Sequence, residues 1–483
     1  MGEAPASFDA RPVGDLICPE PDQRPDIWPW SAKRLDNGVL EIGGVSLTDL
    51  ADDFATPAFV LDRADLAGRA NVWATAMAEE FWDGYGMNGG DAFYAGKAFL
   101  SSDVVRVVTD AGMGVDTASL GELTMALRSG ANPAKVGLHG NNKLDSEIEC
   151  ALLAGNKEGI ERIFIDSLYE VGQLERIAKK LGVIARVMVR VKTGVHAGGN
   201  EYISTGHEDQ KFGVGAFDGQ LDEVVDAIAS SDHLELRGLH SHIGSQIIGI
   251  DAFVEAATII CRLAKQIQGR TGLTIPDIDL GGGAGVAYTG DDETPTSPLE
   301  VARAIAGAVR DACAELDFPV PHVSVEPGRS VVGPAMVSLY RVGAVKDATL
   351  GDGLKRRYIA VDGGMADNIR PALYGARYAA TLANRVSDVE PVRSRIVGKH
   401  CESGDVIVWD VDLPSDVQAG DLLVIPVTGA YGYSMASNYN MATKPGVIAV
   451  ESGQARWIMR PQTIDDLLEL DTGLASLAAT NDE

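Results

Sequence analysis

Short apolar strands alternate with helical stretches from residue 64 to residue 333, and this alternation constrains the fold more than any other feature. The helical stretches include Ser119–Ser129 and Asp251–Gln268, which begin with residues that suit a helix N-cap. Eight strands, each followed by a crossover helix, are typical of a (β/α)8 TIM-like barrel, and an open doubly wound sheet is the alternative. The predicted strands are Ala92–Ala95, Gly114–Asp116, Lys135–Leu138, Arg162–Ile165, Ala185–Val191, Glu235–His242, Asp277–Leu280 and His322–Val325.

The periodicity changes after residue 333, where predicted strands are separated by Gly, Pro and Asp turns. We therefore predict an α/β barrel over residues 64–333 and a second, all-β domain, a β-barrel or sandwich, over residues 334–483. An N-terminal segment, residues 33–63, completes this discontinuous β domain, and residues 1–32 lack periodicity and are predicted to form a flexible extension. The predicted strands of the β domain are Gly38–Leu47, Phe59–Asp62, Met336–Val345, Arg357–Asp362, Ile396–Gly398, Asp405–Trp409, Asp421–Pro426, Gly446–Val450 and Arg456–Met459.

Composition excludes several classes of partner. The chain has 483 residues, with 41 Lys and Arg against 69 Asp and Glu, which gives a formal net charge of −28. Such a charge argues against a nucleic-acid or anionic-membrane surface. No apolar run approaches the roughly 18 residues of a membrane span, and the N-terminus lacks the apolar core of a signal peptide. Five scattered cysteines without a CxxC pair favour a reducing, cytoplasmic compartment.

Chemically distinctive residues fall at the ends of the predicted barrel strands, where (β/α)8 enzymes place their active sites. Lys97 follows the first strand, and its amine is either a desolvated nucleophile or an ordinary solvated lysine. A glycine run follows the seventh strand, where close backbone approach suits a phosphate, although a flexible loop gives the same pattern. Other strand ends carry His139–Asn142, His240–Ser245 and Glu326–Arg329.

Histidine and cysteine positions leave several interpretations open. His240 and His242 share one face of the sixth strand because side chains alternate along a strand. They can be metal ligands, rings that stack on a planar cofactor, or buried core histidines. In the β domain, Cys401 lies beside Glu402 in a predicted loop and is either a proton donor or an inert thiol. Arg370 suits carboxylate recognition or is an ordinary surface arginine.

Taken together, the motifs resemble those of the diaminopimelate decarboxylase family, pyridoxal 5'-phosphate (PLP) enzymes of the alanine racemase-like fold III group. The resemblance covers nearly all of residues 38–470 and rests on YAGKAF, HGNNK, HEDQKFG, GLHSHIGSQ, DLGGG, VEPGRS, DGGMADNIRPALYGA, GKHCESGD and GAYGYSMASNYNM, in that order. It implies PLP as cofactor, no metal, and a head-to-tail homodimer with shared active sites. It also implies decarboxylation of meso-2,6-diaminopimelate to L-lysine and CO₂, the last step of lysine biosynthesis.

The resemblance further implies roles for individual residues. Lys97 would form the Schiff base with PLP, His242 would stack on the ring, and Glu326 would face the pyridine nitrogen. Cys401, reaching into the active site of the partner subunit, would be the proton donor. The implied cofactor-holding set is Ser245, Gly281, Gly282, Gly283, Glu326, Pro327, Gly328, Arg329 and Tyr431. The implied substrate contacts are Arg329, Arg370, Tyr374, Glu402 and Tyr431.

One segment departs from the family pattern: KTGVHAGGN, near residues 192–200, replaces a more usual acidic and His-rich sequence.

Decarboxylases of ornithine, arginine or carboxynorspermidine are the nearest alternatives, and Glu402 with Arg370 and Tyr374 argues against them. An inactive regulatory homologue would lose the lysine or the cofactor loop, and a metal-dependent barrel hydrolase would carry its histidine pair on the first strand. The sequence leaves open feedback by lysine and closure of the loop at 192–211.

Overall fold

The chain divides into two compact units. The barrel unit comprises Leu66–Val286 and Glu293–Val331, and the β unit comprises Met1–Asp65, Ala287–Asp292 and Val332–Glu483. The structure is a computed structural model, and it describes residues 9, 11–195, 211–349 and 355–474.

The barrel unit contains eight parallel strands that close on themselves. Backbone pairing joins β8 to β1 at Val323 and Gly90 and joins β4 to β5 at Ile163 and Val187, so the ring has no open edge there. This closure confirms the predicted (β/α)8 barrel and is inconsistent with an open doubly wound sheet. The strands are β1 Gly90–Ala95, β2 Gly114–Thr117, β3 Val136–Leu138, β4 Arg162–Ile165, β5 Ala185–Lys192, β6 Leu234–His240, β7 Asp277–Asp279 and β8 His322–Val325.

Helices connect the strands, and serine caps begin several of them. The side chains of Ser101, Ser119 and Ser297 accept hydrogen bonds from backbone N–H groups of the first helical turn. Within the ranges that the structure describes, no helix is both long and apolar enough to cross a membrane. The main helices are Arg63–Glu80, Ser102–Asp110, Leu120–Arg128, Asp145–Lys157, Leu168–Leu181, Gln220–Ala229, Asp251–Thr271 and Pro298–Leu316.

The β unit is built on a mixed sheet that contains an N-terminal strand. Ala58–Asp62 pairs antiparallel with Met336–Thr349 on one side and parallel with Gly446–Glu451 on the other. An early segment therefore completes the later domain, as the sequence predicted. The remaining strands of this sheet are Lys355–Val361, Thr381–Leu382, Pro391–Val397, Val406–Pro414, Leu422–Ile425 and Gln454–Met459.

Small elements complete the β unit. Three short N-terminal strands, Lys33–Arg34, Leu40–Ile42 and Val45–Ser46, form a sheet of their own. The short helices are Leu47–Asp53, Arg370–Tyr374 and Ile464–Leu468.

The N-terminal segment packs onto the β unit, so the prediction of a flexible extension does not hold for residues 11–32. Trp28 is only 1% exposed, and its indole N–H donates to the carbonyl of Pro19 at 2.9 Å. The backbone N–H groups of Gly14 and Leu16 donate to the Asp412 carboxylate at 2.8 and 2.9 Å. Isolated apolar residues in a Pro-rich stretch leave no periodic pattern, which is why the sequence did not reveal this packing. Residues 1–8 and 10 lie outside the described residues.

One short segment within the predicted barrel range also belongs to the β unit. Ala287–Asp292 falls within the predicted barrel range 64–333, yet it packs with the N-terminal segment. Arg24 Nη1 donates to the Gly290 carbonyl at 2.5 Å, and Arg11 Nη1 lies 2.6 Å from the Asp291 carboxylate. These contacts join segments that are far apart in sequence, so no local pattern indicates them.

Candidate active site

The ends of the barrel strands bring three of the predicted site residues to one cavity. Lys97 lies in the turn Gly96–Ala98 that follows β1, and it is exposed. His242 follows β6, and Glu326 follows β8. The cavity has a volume of about 170 Å³ and is lined by Ala95, Gly96, Lys97, Asp116, Thr117, Ala118, Glu122, His139, Gly140, Arg190, Phe212, His240, His242 and Glu326. Parallel topology explains the convergence because it places every strand end of one polarity on one face of the barrel.

The carboxylate of Glu326 lies between two imidazoles that the sequence analysis did not connect to it. Its Oε1 atom is 3.0 Å from His139 Nε2 and 3.2 Å from His240 Nε2. Burial alone would raise the pKa of Glu326, but the two imidazoles bring that pKa well below its usual value. The sequence did contain an indication of the contact between His139 and Glu326. His139 begins the HGNNK motif at the end of β3, and the strand ends of a barrel share one face.

His242 is held as a neutral imidazole. Its Nδ1 atom accepts a hydrogen bond from the Gly282 N–H at 3.2 Å. Desolvation keeps the pKa of His242 well below its usual value, and the nearby charges of Lys97 and Arg190 lower it further. A neutral ring of this kind can stack on a planar cofactor.

The two histidines for which metal binding was one of three interpretations of the sequence do not act as a pair. His240 faces Glu326, whereas His242 contacts the turn after β7. Within the described residues, the atoms close enough to hold a metal belong to another group, His139 with His240 and Glu326.

The glycine turn after β7 passes close to two neighbouring strand ends. A Cβ atom at Gly282 would lie 2.2 Å from the Glu326 carbonyl oxygen, and one at Gly283 would lie 2.8 Å from the Gly244 carbonyl oxygen. Gly283 also has a φ of 126°, which a side chain rarely permits. The backbone can therefore approach a ligand closely at this turn.

Two further predicted cofactor residues meet beside this turn. Arg329 Nη2 donates to Ser245 Oγ at 2.8 Å, which joins the ends of β8 and β6. The Pro327 carbonyl accepts a hydrogen bond from the Ala95 N–H at 3.2 Å, and Gly328 leaves room for the Ala95 side chain. Glu326–Arg329 is thus fixed against β1 and against the loop after β6.

The other predicted site residues lie in the β unit. Arg370 is buried, and its Nη1 atom donates to the phenol oxygens of Tyr288 at 3.0 Å and Tyr378 at 2.5 Å. These contacts fix the direction of the guanidinium. Tyr374 is half-buried at the end of the same short helix. Tyr431 has a φ of 61°, a strained backbone conformation of the kind that often marks functional sites.

Cys401 and Glu402 occupy the exposed tip of a turn. The Asp405 carboxylate organises this turn, because it accepts hydrogen bonds from the N–H groups of Met365 at 2.6 Å and His400 at 2.7 Å. The thiol therefore stands on a well-anchored loop rather than in a core. Residues 196–200 of KTGVHAGGN, the segment that departs from the family pattern, lie outside the described residues.

Comparison with known proteins identifies the family. Residues 69–333 match the pyridoxal-binding domain of the pyridoxal-dependent decarboxylases, which makes PLP the cofactor. The chain is 43% identical to diaminopimelate decarboxylase of Mycobacterium tuberculosis over 452 residues, 92% of this chain and 98% of that relative. It is 40% identical to the enzyme of that name from Bacillus subtilis over 441 residues, 91% of this chain and 97% of that relative.

A solved structure agrees with these relatives. Diaminopimelate decarboxylase of M. jannaschii, in co-complex with L-lysine, superposes with a TM-score of 0.83 at 29% identity. The match covers 91% of this chain and 97% of that one. The strand-end lysine, imidazole and carboxylate, the matched domain and these relatives together place this chain in the diaminopimelate decarboxylase family of pyridoxal-dependent decarboxylases.

Proposed function

We propose that this chain decarboxylates meso-2,6-diaminopimelate to L-lysine and CO₂. The observation that carries the proposal is the 43% identity to a diaminopimelate decarboxylase over 92% of the chain. The L-lysine in the complex of the M. jannaschii relative is the amino acid that this reaction would release.

The residues at the barrel strand ends fit PLP. Lys97 offers an amine for the cofactor carbonyl, His242 a neutral ring for stacking, and Glu326 a buried carboxylate for the pyridine nitrogen. The glycine turn after β7 and the hydroxyl of Ser245 suit the phosphate, since both lie at neighbouring strand ends. These residues therefore offer a suitable chemical group for each part of the cofactor.

Bound PLP supplies an electron sink for the bond between Cα and the departing carboxylate. Lys97 would hold the cofactor through its amine. Glu326, as an anion, would favour a proton on the pyridine nitrogen and so strengthen the sink. His242, whose Nδ1 accepts a hydrogen bond from the Gly282 N–H, would support the ring face.

Residues of the β unit bind the substrate and complete the reaction. Arg370, fixed by two phenols, suits the distal carboxylate, and Glu402 suits the distal ammonium. Cys401 donates the proton to the carbon that has lost CO₂. Its exposed position at the tip of a turn fits a thiol that enters the active site of a partner subunit in a homodimer.

The test measures lysine and CO₂ released from meso-diaminopimelate, with and without added PLP. Ornithine, arginine and lysine serve as comparison substrates. We expect one lysine per CO₂, dependence on PLP, and turnover of meso-diaminopimelate alone, because unpaired polar groups in the distal site disfavour the other amino acids. Equal turnover of ornithine or lysine would contradict the assigned specificity.

A further inference from the structure

Two histidines outside the residues assigned to the reaction converge on Glu326. His139 follows β3, His240 ends β6 and Glu326 follows β8, so three separate strands supply the group. The side chains of the three residues are 14%, 1% and 9% exposed, respectively. Both imidazole Nε2 atoms approach the same carboxylate oxygen, at 3.0 and 3.2 Å. An unpaired buried charge is costly, so the two imidazoles beside one oxygen of this buried carboxylate compensate for its burial.

Packing fixes both rings independently of any ligand. The His139 ring stacks on Phe164 with centroids 3.7 Å apart and an interplanar angle of 13°. His240 meets the same phenyl ring edge-on, with centroids 4.8 Å apart. Gly137 leaves space for this stack, because a Cβ there would lie only 3.1 Å from the Phe164 ring and would overlap the Asp116 carboxylate. The rings are therefore held where they contact Glu326.

The loop that begins at His139 is also anchored. Lys143 Nζ is buried, donates to the Gly140 carbonyl at 2.6 Å and lies 3.0 Å from the Glu170 carboxylate. Glu170 in turn accepts a hydrogen bond from the Asp166 N–H at 2.7 Å. The position of His139 thus depends on a buried ion pair and not on a mobile surface loop.

The two imidazoles differ in charge. Burial alone would lower the pKa of His139, but Glu326 and Asp116 raise it to about 9, so this ring carries a positive charge at neutral pH. Burial lowers the pKa of His240 to about 4, so that ring is neutral. Among the described residues, Arg162, Arg190, His242 and Asp279 also interact electrostatically with Glu326, and Lys97, Asp116 and Glu122 line the same cavity.

We propose that His139 and His240 are positioning residues that keep the Glu326 carboxylate ionised and correctly oriented for the pyridine nitrogen of PLP. The proposal deepens the proposed function and rests on it. His139 supplies the compensating charge, and His240 fixes the direction of the carboxylate from the end of β6. Neither ring needs to touch the substrate to affect turnover.

The test compares His139→Asn and His240→Asn with His322→Asn in the PLP-loaded enzyme. His322 is a matched control because it begins β8, at the other end of the strand that Glu326 follows, and its Nε2 lies 3.3 Å from the carboxylate of Asp91 on β1. The measurements are kcat and KM from pH 4 to pH 10, the visible absorption band of bound PLP over the same range, and the Kd for PLP.

We expect His139→Asn to lower kcat by about 10- to 100-fold at neutral pH, with a much smaller change in KM. Without the positive charge the pKa of Glu326 rises, so the carboxylate is lost as the pH falls through that raised value. The acid limb of the kcat profile should therefore move upward by at least about one pH unit. The visible band should change over the same pH range. We expect His240→Asn to cause a smaller loss of kcat and a smaller shift.

Several outcomes separate this inference from the proposed function. Absence of a PLP band or of diaminopimelate turnover in the wild type would overturn the proposed function. Normal wild-type behaviour, with both histidine variants matching His322→Asn in pH profile and absorption, would overturn only the inference. Stoichiometric metal in the purified PLP-loaded enzyme, lost in His139→Asn, would also overturn it, because the three side chains would then be metal ligands.

Discussion

The barrel unit and the β unit position their predicted site residues in different ways. In the barrel unit, Lys97, His242 and Glu326 line one cavity because eight parallel strands end on one face. In the β unit, Arg370 lies on a short helix and Cys401 at the exposed tip of a turn. Topology alone therefore gathers the barrel residues, whereas individual hydrogen bonds fix the residues of the β unit. Variants in the two units should consequently differ in whether they affect cofactor binding.

The largest effect is expected from Lys97→Ala in the barrel unit. It removes the amine proposed to hold PLP, so activity should fall by at least about 10⁴-fold and the visible band of the bound cofactor should disappear. When both proteins are compared without PLP, the thermal unfolding temperature should hardly change, because this side chain is exposed. Absorption spectra and lysine release check the prediction. Lys180→Ala, at a surface lysine 2.8 Å from Glu149, is the control and should retain both.

A β-unit variant should leave the cofactor in place. Cys401→Ala removes the proposed proton donor, and we expect turnover to fall by about 100-fold or more while the PLP spectrum stays unchanged. Cys150→Ala, at a half-buried cysteine of the barrel unit, provides the matched control. Wild-type turnover by the Cys401 variant would remove the thiol from the mechanism.

Mixing the two inactive variants tests whether active sites are shared between subunits. A heterodimer of Lys97→Ala and Cys401→Ala subunits would contain one intact site if each site combines both chains. Random assembly should then restore about a quarter of wild-type activity. Mass spectrometry would establish that heterodimers formed, and heterodimers without activity would count against a composite site.

A smaller effect is expected from Arg370→Lys. Lysine cannot reproduce the fork geometry of a guanidinium, so the KM for diaminopimelate should rise by about 10- to 100-fold, with less change in kcat. Initial-rate kinetics measure KM and kcat, and the PLP spectrum shows whether the cofactor is still bound. Arg377→Lys, which changes an exposed arginine that pairs with Asp291 at 2.9 Å, should have little effect on either constant. An equal rise in KM for both variants would argue against specific recognition by Arg370.

The smallest effect on activity is expected in the N-terminal segment. Trp28→Ala removes a fully packed side chain and should lower the free energy of unfolding by about 3–5 kcal/mol, while activity per folded molecule changes little. Denaturant unfolding and active-site titration separate the two quantities. Trp30→Ala is the control because Trp30 is 54% exposed. Equal stability of both variants would show that the segment contributes little to the β unit.

The barrel strands were predictable because each is a local run of buried residues. Arg162–Ile165 and His322–Val325 have the predicted bounds, and most others differ by one or two residues. β6 was predicted to continue to His242 but ends at His240. There the Ser241 N–H donates to the Asp279 carbonyl, and the chain then turns towards the glycine run. Hydrogen bonding with a distant part of the chain therefore determines where this strand ends, whereas the local apolar pattern continues to His242.

The class of the fold, the order of its elements and the family whose motifs this chain carries could all be predicted from the amino-acid sequence. Those properties depend on local periodicity and on side chains grouped within short segments. Only the tertiary structure revealed the buried packing of Trp28 and the contact of His139 and His240 with Glu326. These features join residues that are distant in sequence, and their burial and charge depend on the packing of several elements at once.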